Sequence, residues 1–421
     1  MLGLKLCFFA EFWDLQDKKC SIFCLRNLSS GLLFDELIKK TDDMKGKYDW
    51  LDLIRGLAAL AVFIGHLRVI CFSDVPFTHL DLFGKLIFFL TGFGHISVII
   101  FFVLSGFLII KSIDGSVERR HWSTADYAQN RLFRLWVVLI PCLFLGLILD
   151  KVGMEYWGGS LFYSGHWKYF INQDLASLLT PRIFIGNIFF LQNILVPTLG
   201  SNGALWSLAN EFWYYAIFPL FYFGCINYYN SKLRVCFFAT GILLLLFVGY
   251  DISMRFPIWL FGGLSYIITK KVMITVLKDR RGLFAVVTLF LASVFLSRIK
   301  FHEEVFNFYL IAFLFSLSIP FLVHAEMKSK ILNVISTYLS NISYTLYLAH
   351  LPFIYLVTAM FNFQNKEWNI NNFWIYTMIS AATVIYSALL WFLFERNTNK
   401  IRKWLTSRKR KEMGSRNAIM E

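Results

Sequence analysis

Arg55 and His66 stand eleven residues apart in the otherwise apolar run Leu51 to Phe72. At about 3.6 residues per turn both project from one helical face, about 16 Å apart along the axis. A guanidinium and an imidazole inside a bilayer are costly, so a span that keeps both is expected to line a polar cavity or a reaction path. The competing reading is that Arg55 and His66 snorkel to opposite interfaces. Glu211 and Tyr215, at i and i+4 in the segment Leu205 to Pro219, form a second constellation. A carboxylate in a low-dielectric setting has its proton affinity raised unless a cation pairs with it, which suits a general acid or base. If the two segments pack together, His66 and Glu211 make a base and its orienting carboxylate, able to take a proton from a hydroxyl. An ion pair that merely joins two helices is the structural alternative.

Two further sets complete the inventory. Arg131 and Arg134, at i and i+3 behind Asn130, share a face and can clamp phosphate, although basic residues flanking a helix end also follow from topology alone. Ser343, Tyr347 and His350 fall at i, i+4 and i+7, a stripe of hydroxyl, phenol and imidazole expected to face the protein interior.

The elements that must position these groups follow from composition. Apolar residues make up 57% of the 421, aromatics 19% and charged residues only 16%, with a mean hydropathy of +0.58. The chain is expected to be an all-α polytopic membrane protein, a bundle of about ten transmembrane helices. The candidate spans lie near residues 51–72, 84–110, 131–149, 205–225, 233–250, 255–269, 283–298, 305–324, 338–360 and 373–394, the sixth and seventh being short. Placing Met44 to Lys47 in the cytosol puts the clusters at Lys111 to Arg120, Lys232/Arg234, Lys270 to Arg281, Lys328/Lys330 and the tail inside as well, with both termini cytosolic and the protein in the inner membrane. The net charge of +14 is then a topological signal that needs no nucleic acid partner. The tail from Arg396 to Lys411 is expected on anionic headgroups.

Residues 1–47 read as an N-terminal extension without a span-length run or a signal-peptide pattern, and Met44 is the expected translation start, with an amphipathic interfacial helix as the alternative. The seven cysteines show no metal or redox spacing, so no metal site is expected. The longest stretch between spans, Asp150 to about Ala204, is rich in aromatics, including Tyr156, Trp157, Phe162, Tyr163, Trp167, Tyr169 and Phe170. Such rings stack on carbohydrate or anchor at the interface. Its apolar segment Ile183 to Val196 is too short to cross and suggests a re-entrant or interfacial piece.

Taken together these residues resemble the membrane-bound acyltransferase-3 family of bacterial integral-membrane O-acyltransferases. The resemblance covers residues 48–395 as a membrane domain, followed by a basic tail, 396–421. It begins at Leu51-Asp52-Leu53-Ile54-Arg55-Gly56-Leu57 with His66 following, and continues at Phe101-Phe102-Val103-Leu104-Ser105-Gly106-Phe107 and at Arg131/Arg134. It passes through Trp206-Ser207-Leu208 with Glu211, Tyr215 and Pro219, and ends at Ser343-Tyr344-Thr345-Leu346-Tyr347-Leu348-Ala349-His350-Leu351-Pro352. One departure is that the proline common shortly after the family's arginines is delayed here to Pro141.

The resemblance implies a donor, acetyl-CoA or another acyl-CoA, taken from the cytosol, and an acyl group passed to an extracytoplasmic acceptor. It implies that Arg131 and Arg134 hold the CoA phosphates, with Ser105 also on the donor side. It implies that His66 acts as general base or transient acyl carrier and that Arg55 steers or polarises the thioester, supported by Glu211 and Tyr215. Tyr347, His350, Ser343 and Trp206 are expected along the substrate path, and no appended esterase-like domain is expected. The expected acceptor is a hydroxyl of a surface glycan such as O-antigen or exopolysaccharide. A secondary transporter or flippase would also bury Arg, His and Glu along a path, and would announce itself by inverted repeats, which the chain lacks.

Overall fold

The computed structural model describes residues 48–165, 174–297 and 304–402. The expected extension before Met44 to Lys47, the ring residues Trp167, Tyr169 and Phe170, and the tail beyond Arg402 lie outside the described residues. Two compact units are distinguished, Asp49–Tyr215 with Val248–Glu421, and a smaller one that includes Ala216–Phe247.

Among the described residues the chain is helical, without named strands. Its principal helices are α1 (Asp49–Cys71), α2 (Leu82–Leu90), α3 (Gly94–Glu118), α4 (Thr124–Trp157), α5 (Pro181–Ile188), α6 (Leu205–Cys225), α7 (Ser231–Phe247), α8 (Gly249–Lys271), α9 (Ile274–Leu277), α10 (Arg280–Ser297), α11 (Glu304–His324), α12 (Lys330–Met360) and α13 (Ile370–Leu393). Nine of the ten expected spans fall mainly on one helix each, whereas the second, near 84–110, covers both α2 and α3, which are interrupted at Thr91–Phe93. Among the described residues, seven segments are long and apolar enough to cross a membrane: α1, α2 joined to α3, α4, α8, α11, α12, and α13 with the residues that follow it. The expected count of about ten is not reached on these criteria. The other three are α6, α7 and α10, with 21, 17 and 18 residues. Tryptophans, tyrosines, Asn210 and Glu211 dilute the hydropathy of α6, and α7 is only 17 residues long.

The core of the larger unit is α12, with 83% of its apolar window inside, against 22% for the segment containing α13. It packs along α1, α4 and α13. Acidic residues at the start of α1 suit the positive end of its dipole and also tie it to α12. Asp49 Oδ2 accepts from Asn333 at 2.9 Å, and its carbonyl accepts from Ser336 at 2.7 Å. Gly56 lets the two backbones approach, because a Cβ there would lie 2.9 Å from the carbonyl carbon of Leu339. The α3–α8 contact is built the same way, since a Cβ on Gly106 would collide with Trp259 O and one on Gly262 with Val103 O. Phenols reach main-chain carbonyls across helices, Tyr344 to Leu135 at 3.2 Å, Tyr376 to Ile64 at 3.0 Å and Tyr214 to Ile252 at 2.7 Å. These bonds satisfy hydroxyls that have no water to turn to.

The segment Ile183 to Val196 forms the short α5, capped by Thr180 and started by Pro181, and then a tight turn with positive φ at Phe190 and Asn193. Asn187 holds the turn, donating to Ile183 and Pro197 carbonyls at 2.8 and 3.0 Å and accepting from Leu199 at 3.2 Å. Asp150, 1% exposed, accepts from Ser201 N at 2.8 Å. The neighbouring Gly200 has a φ of +55°, and its missing side chain leaves room for the Asp150 carboxylate. Nearby, burial and the Asp150 carboxylate push the Tyr163 phenol up, so it stays neutral.

In the smaller unit the end of α6 and α7 form a hairpin. Gly241 faces the Phe221 ring, which packs on Phe238 at 5.3 Å, and Arg234 donates to Cys225 O at 3.0 Å.

Candidate active site

A cavity of about 720 Å³ opens inside the larger unit, walled by α1, α3, α4, α6, α12 and the turn after α13. Its lining is unusually basic for an interior. Arg55, Arg131, Arg134, Arg396 and Arg402 contribute five guanidinium groups, against the two carboxylates Glu211 and Glu395.

Arg55 is oriented from two sides. Its guanidinium pairs with Asp52 at 2.6 Å, one turn earlier on α1, and donates to Ser340 Oγ on α12. Ser340 in turn donates to the same Asp52 oxygen at 2.9 Å, closing a three-residue knot at the seam of the two helices. The Nε of Arg55 is buried without a hydrogen-bond partner.

Arg131 and Arg134 sit on α4, which runs unbroken from Thr124 to Trp157 with Pro141 inside it. The late proline therefore leaves the i, i+3 pair on one helical face. Arg131 donates to Ser112 Oγ at 3.2 Å, and its guanidinium lies over the rings of Tyr127 and Tyr215 at 5.5 and 6.0 Å. Such stacking leaves the planar edge of an arginine available to oxyanions. Arg396 and Arg402, expected on headgroups, line this cavity instead, and Arg402 donates to Asn130 Oδ1. Glu395, in the short 3-10 turn Glu395–Asn397, accepts from Thr345 N and Oγ1 at 3.3 and 2.5 Å, which holds this turn against α12.

Farther along the wall, Glu211 Oε1 accepts from Ser105 at 3.0 Å and from the Tyr215 hydroxyl. Trp259 Nε1 donates to Ser105 Oγ at 3.2 Å, so a carboxylate, two hydroxyls and an indole form one connected set. Tyr347 is bonded to Ser207 Oγ at 2.6 Å and to Ala204 O at 3.2 Å, and Ser343 donates to Ser340 O at 2.7 Å. Trp206 packs edge-on against Phe102 and lies under Arg255 at 5.2 Å.

The histidines correct the expected pairing. Glu211 is held by Ser105 and Tyr215, while His66 Nδ1 lies 2.8 Å from His350 Nε2, the rings edge to edge with centroids 5.1 Å apart and planes 14° from parallel. The reason is the helix seam: α1 runs along α12, so the histidine of one meets the histidine of the other. His350 Nδ1 faces Leu346 O at 2.9 Å. The Tyr347 ring, in the cavity wall, is 6.2 Å from that of His350. Neither histidine is part of the cavity lining.

Six of the expected residues thus line one cavity: Arg55, Arg131, Arg134, Glu211, Ser343 and Tyr347. Ser105 and Tyr215 stand behind Glu211, and the histidine pair stands behind Tyr347. Reasoning from sequence misses Asp52, Ser340, Glu395, Arg396 and Arg402 as site residues. Ser340 extends the α12 stripe of Ser343, Tyr347 and His350 by one turn, so the same periodicity identifies it. Asp52 is visible as an acid one turn before Arg55. Nothing local marks Glu395, whose role depends on where α13 ends against α12.

Helices long enough to cross a bilayer around a polar, arginine-rich cavity define a multi-span membrane protein with an internal anion-competent site. A family model described as an acyltransferase domain matches residues 48–392. The chain belongs to this family, acyltransferase-3. It is 27% identical over 237 residues to an O-acetyl transferase of Shigella phage Sf6, covering 52% of this chain and 60% of that protein. It is 26% identical over 170 residues to the acyltransferase MdmB of Streptomyces mycarofaciens, covering 40% of this chain and 38% of that protein. The chain thus spans less than two thirds of the length of either relative. No solved structure matches significantly.

Proposed function

We propose that the protein is an O-acyltransferase that takes an acetyl group from acetyl-CoA at the arginine end of the cavity and delivers it to a glycan hydroxyl at the histidine end, on the opposite face of the inner membrane. The observation that carries this reading is the five-arginine cavity with Tyr347 in its wall, the His350 ring 6.2 Å from that of Tyr347 and His66 bonded to His350. Coenzyme A presents a pyrophosphate and a 3′-phosphate, polyanions that arginine binds bidentately. Arg131, Arg134, Arg396 and Arg402 suit these groups, and the pantetheine arm then runs past Glu211 toward Tyr347.

Two roles remain for the deeper residues. Arg55, fixed by Asp52 and Ser340 about three turns from His66 on the same helix, steers the anionic donor along the cavity by its positive charge. His66 takes the proton of the acceptor hydroxyl as its oxygen bonds to the thioester carbonyl carbon. The carbon–sulfur bond then breaks, and the proton passes from His66 to the departing thiolate. An acyl group resting briefly on His66 is the two-step variant of the same path. The printed name of the phage relative, O-acetyl transferase, supports acetyl and oxygen as donor group and acceptor atom. The aromatic stretch between α4 and α6 suits a carbohydrate acceptor.

The test is the O-acetyl content of surface glycans by proton NMR in cells carrying the wild-type chain, no chain, or His66→Ala at equal expression. Acetyl signals with wild type that vanish in both controls support the proposal. Equal signals in wild-type and chain-free cells, across all glycan fractions, reject a glycan acceptor.

A further inference from the structure

We infer that His350 is a positioning residue that sets the tautomer of His66, so that His66 presents an unprotonated Nε2 to its substrate. This rests on the acyl-transfer reading above for its consequence, but the geometry that argues it does not. The chain of bonds begins at the carbonyl of Leu346, which can only accept. The 2.9 Å contact from His350 Nδ1 to that oxygen therefore places a hydrogen on Nδ1. A neutral imidazole carries one N–H, so His350 Nε2 holds a lone pair. At 2.8 Å from it, His66 Nδ1 must be the donor, and the remaining nitrogen of His66, Nε2, is left as the base.

The surroundings reinforce this order. His350 is fully buried, with the Phe63 ring edge-on at 6.2 Å and the Tyr347 ring at the same distance, whereas His66 is half-buried. A backbone carbonyl inside a helix cannot reorient, so it is a fixed reference for both rings. A second imidazole here takes the place that an orienting carboxylate occupies in other histidine-based sites. It accepts the same hydrogen bond without bringing a second buried charge. When His66 Nε2 receives a proton from the acceptor hydroxyl, its Nδ1–H still points at His350, and the bond survives the step unchanged.

The experiment uses the full chain, labelled with 15N-histidine in lipid nanodiscs, with the His66 signals assigned by comparison with His66→Gln. The expected result is His66 as the Nδ1–H tautomer in wild type. The same tautomer is expected in His350→Gln, whose amide oxygen can lie where the ring Nε2 lies, and its loss in His350→Leu. In cells, O-acetyl content should fall about 10²-fold in His350→Leu and return to within a few-fold of wild type in His350→Gln. A hydrogen on Nε2 of wild-type His66, an unchanged tautomer in His350→Leu, or full acetylation by His350→Leu would each overturn the inference. If the wild-type chain acetylates nothing, the acyl-transfer proposal fails by itself, and the tautomer measurement still decides whether His350 sets His66.

Discussion

At the scale of single residues, the arginines carry the strongest chemical signal. A lone arginine near a helix end says little, because topology produces it; five around one 720 Å³ cavity concentrate positive charge, which suits the polyanionic donor proposed above. Arg131→Ala and Arg134→Ala should each raise KM for acetyl-CoA by about ten- to a hundredfold, since a hydrogen bond to a charged group is worth about 1.5–3 kcal/mol. Lysine at either position should recover only part of this loss, being unable to bind phosphate bidentately. Steady-state kinetics in proteoliposomes with varied acetyl-CoA would read both effects; an unchanged KM in the double variant would remove the phosphates from this end of the cavity. The chemical capability of Arg55, His66, Glu211 and Tyr347 is legible in the amino-acid sequence alone, because polar groups in apolar helices require a reason. Their partners are not: chemical habit pairs His66 with Glu211, whereas packing pairs it with His350.

Helices enter as the devices that deliver these groups. The α1–α12 and α3–α8 seams depend on glycines that admit a neighbouring backbone, so the site is held by close approach as much as by polar bonds. Gly262→Val should be destabilising by about 1–3 kcal/mol, since even one Cβ there would collide with the α3 backbone at Val103. A lowered thermal midpoint in detergent would show it; an unchanged midpoint would mean that the seam relaxes without cost. Boundaries of the expected spans match helices within two residues at α1, α6 and α11, whereas α4 starts seven residues before and ends eight beyond its expected span, and α12 starts eight residues early. The segment Ile183 to Val196 is recognisable from its length as too short to cross, but its capped helix and tight turn depend on Thr180 accepting from Ile183 N and on Asn187 and the carbonyls it meets.

For the whole molecule, the arrangement of charge gives a direction. With the arginine mouth on the cytosolic side, the turn between α3 and α4 should face the cytosol and the end of α4 the outside. In intact cells whose native cysteines are replaced, a cysteine at Arg119 should resist a membrane-impermeant maleimide, and one at Gly159 should react with it. The reverse pattern would invert the protein and with it the route proposed for the acyl group. Among the described residues seven segments meet the length and apolarity expected of a span, but the aromatic α6, which is not one of them, carries Glu211 and Tyr215, so hydropathy alone overlooks a helix that builds the site.

The sequence by itself determined the class of the protein, its helical periodicity, its family and most of the chemically capable side chains. These are properties of local composition: a run of apolar residues forms a helix in lipid whatever surrounds it, and a polar residue within one stands out against that background. Only the tertiary structure decided which of those side chains meet. The seam of α1 with α12 set His66 against His350 and knotted Arg55 to Asp52 and Ser340. The end of α13 carried Glu395, Arg396 and Arg402 into the same cavity. Residues hundreds of positions apart are brought within hydrogen-bond reach by the packing of whole helices, and no spacing along the chain encodes which helix will lie beside which.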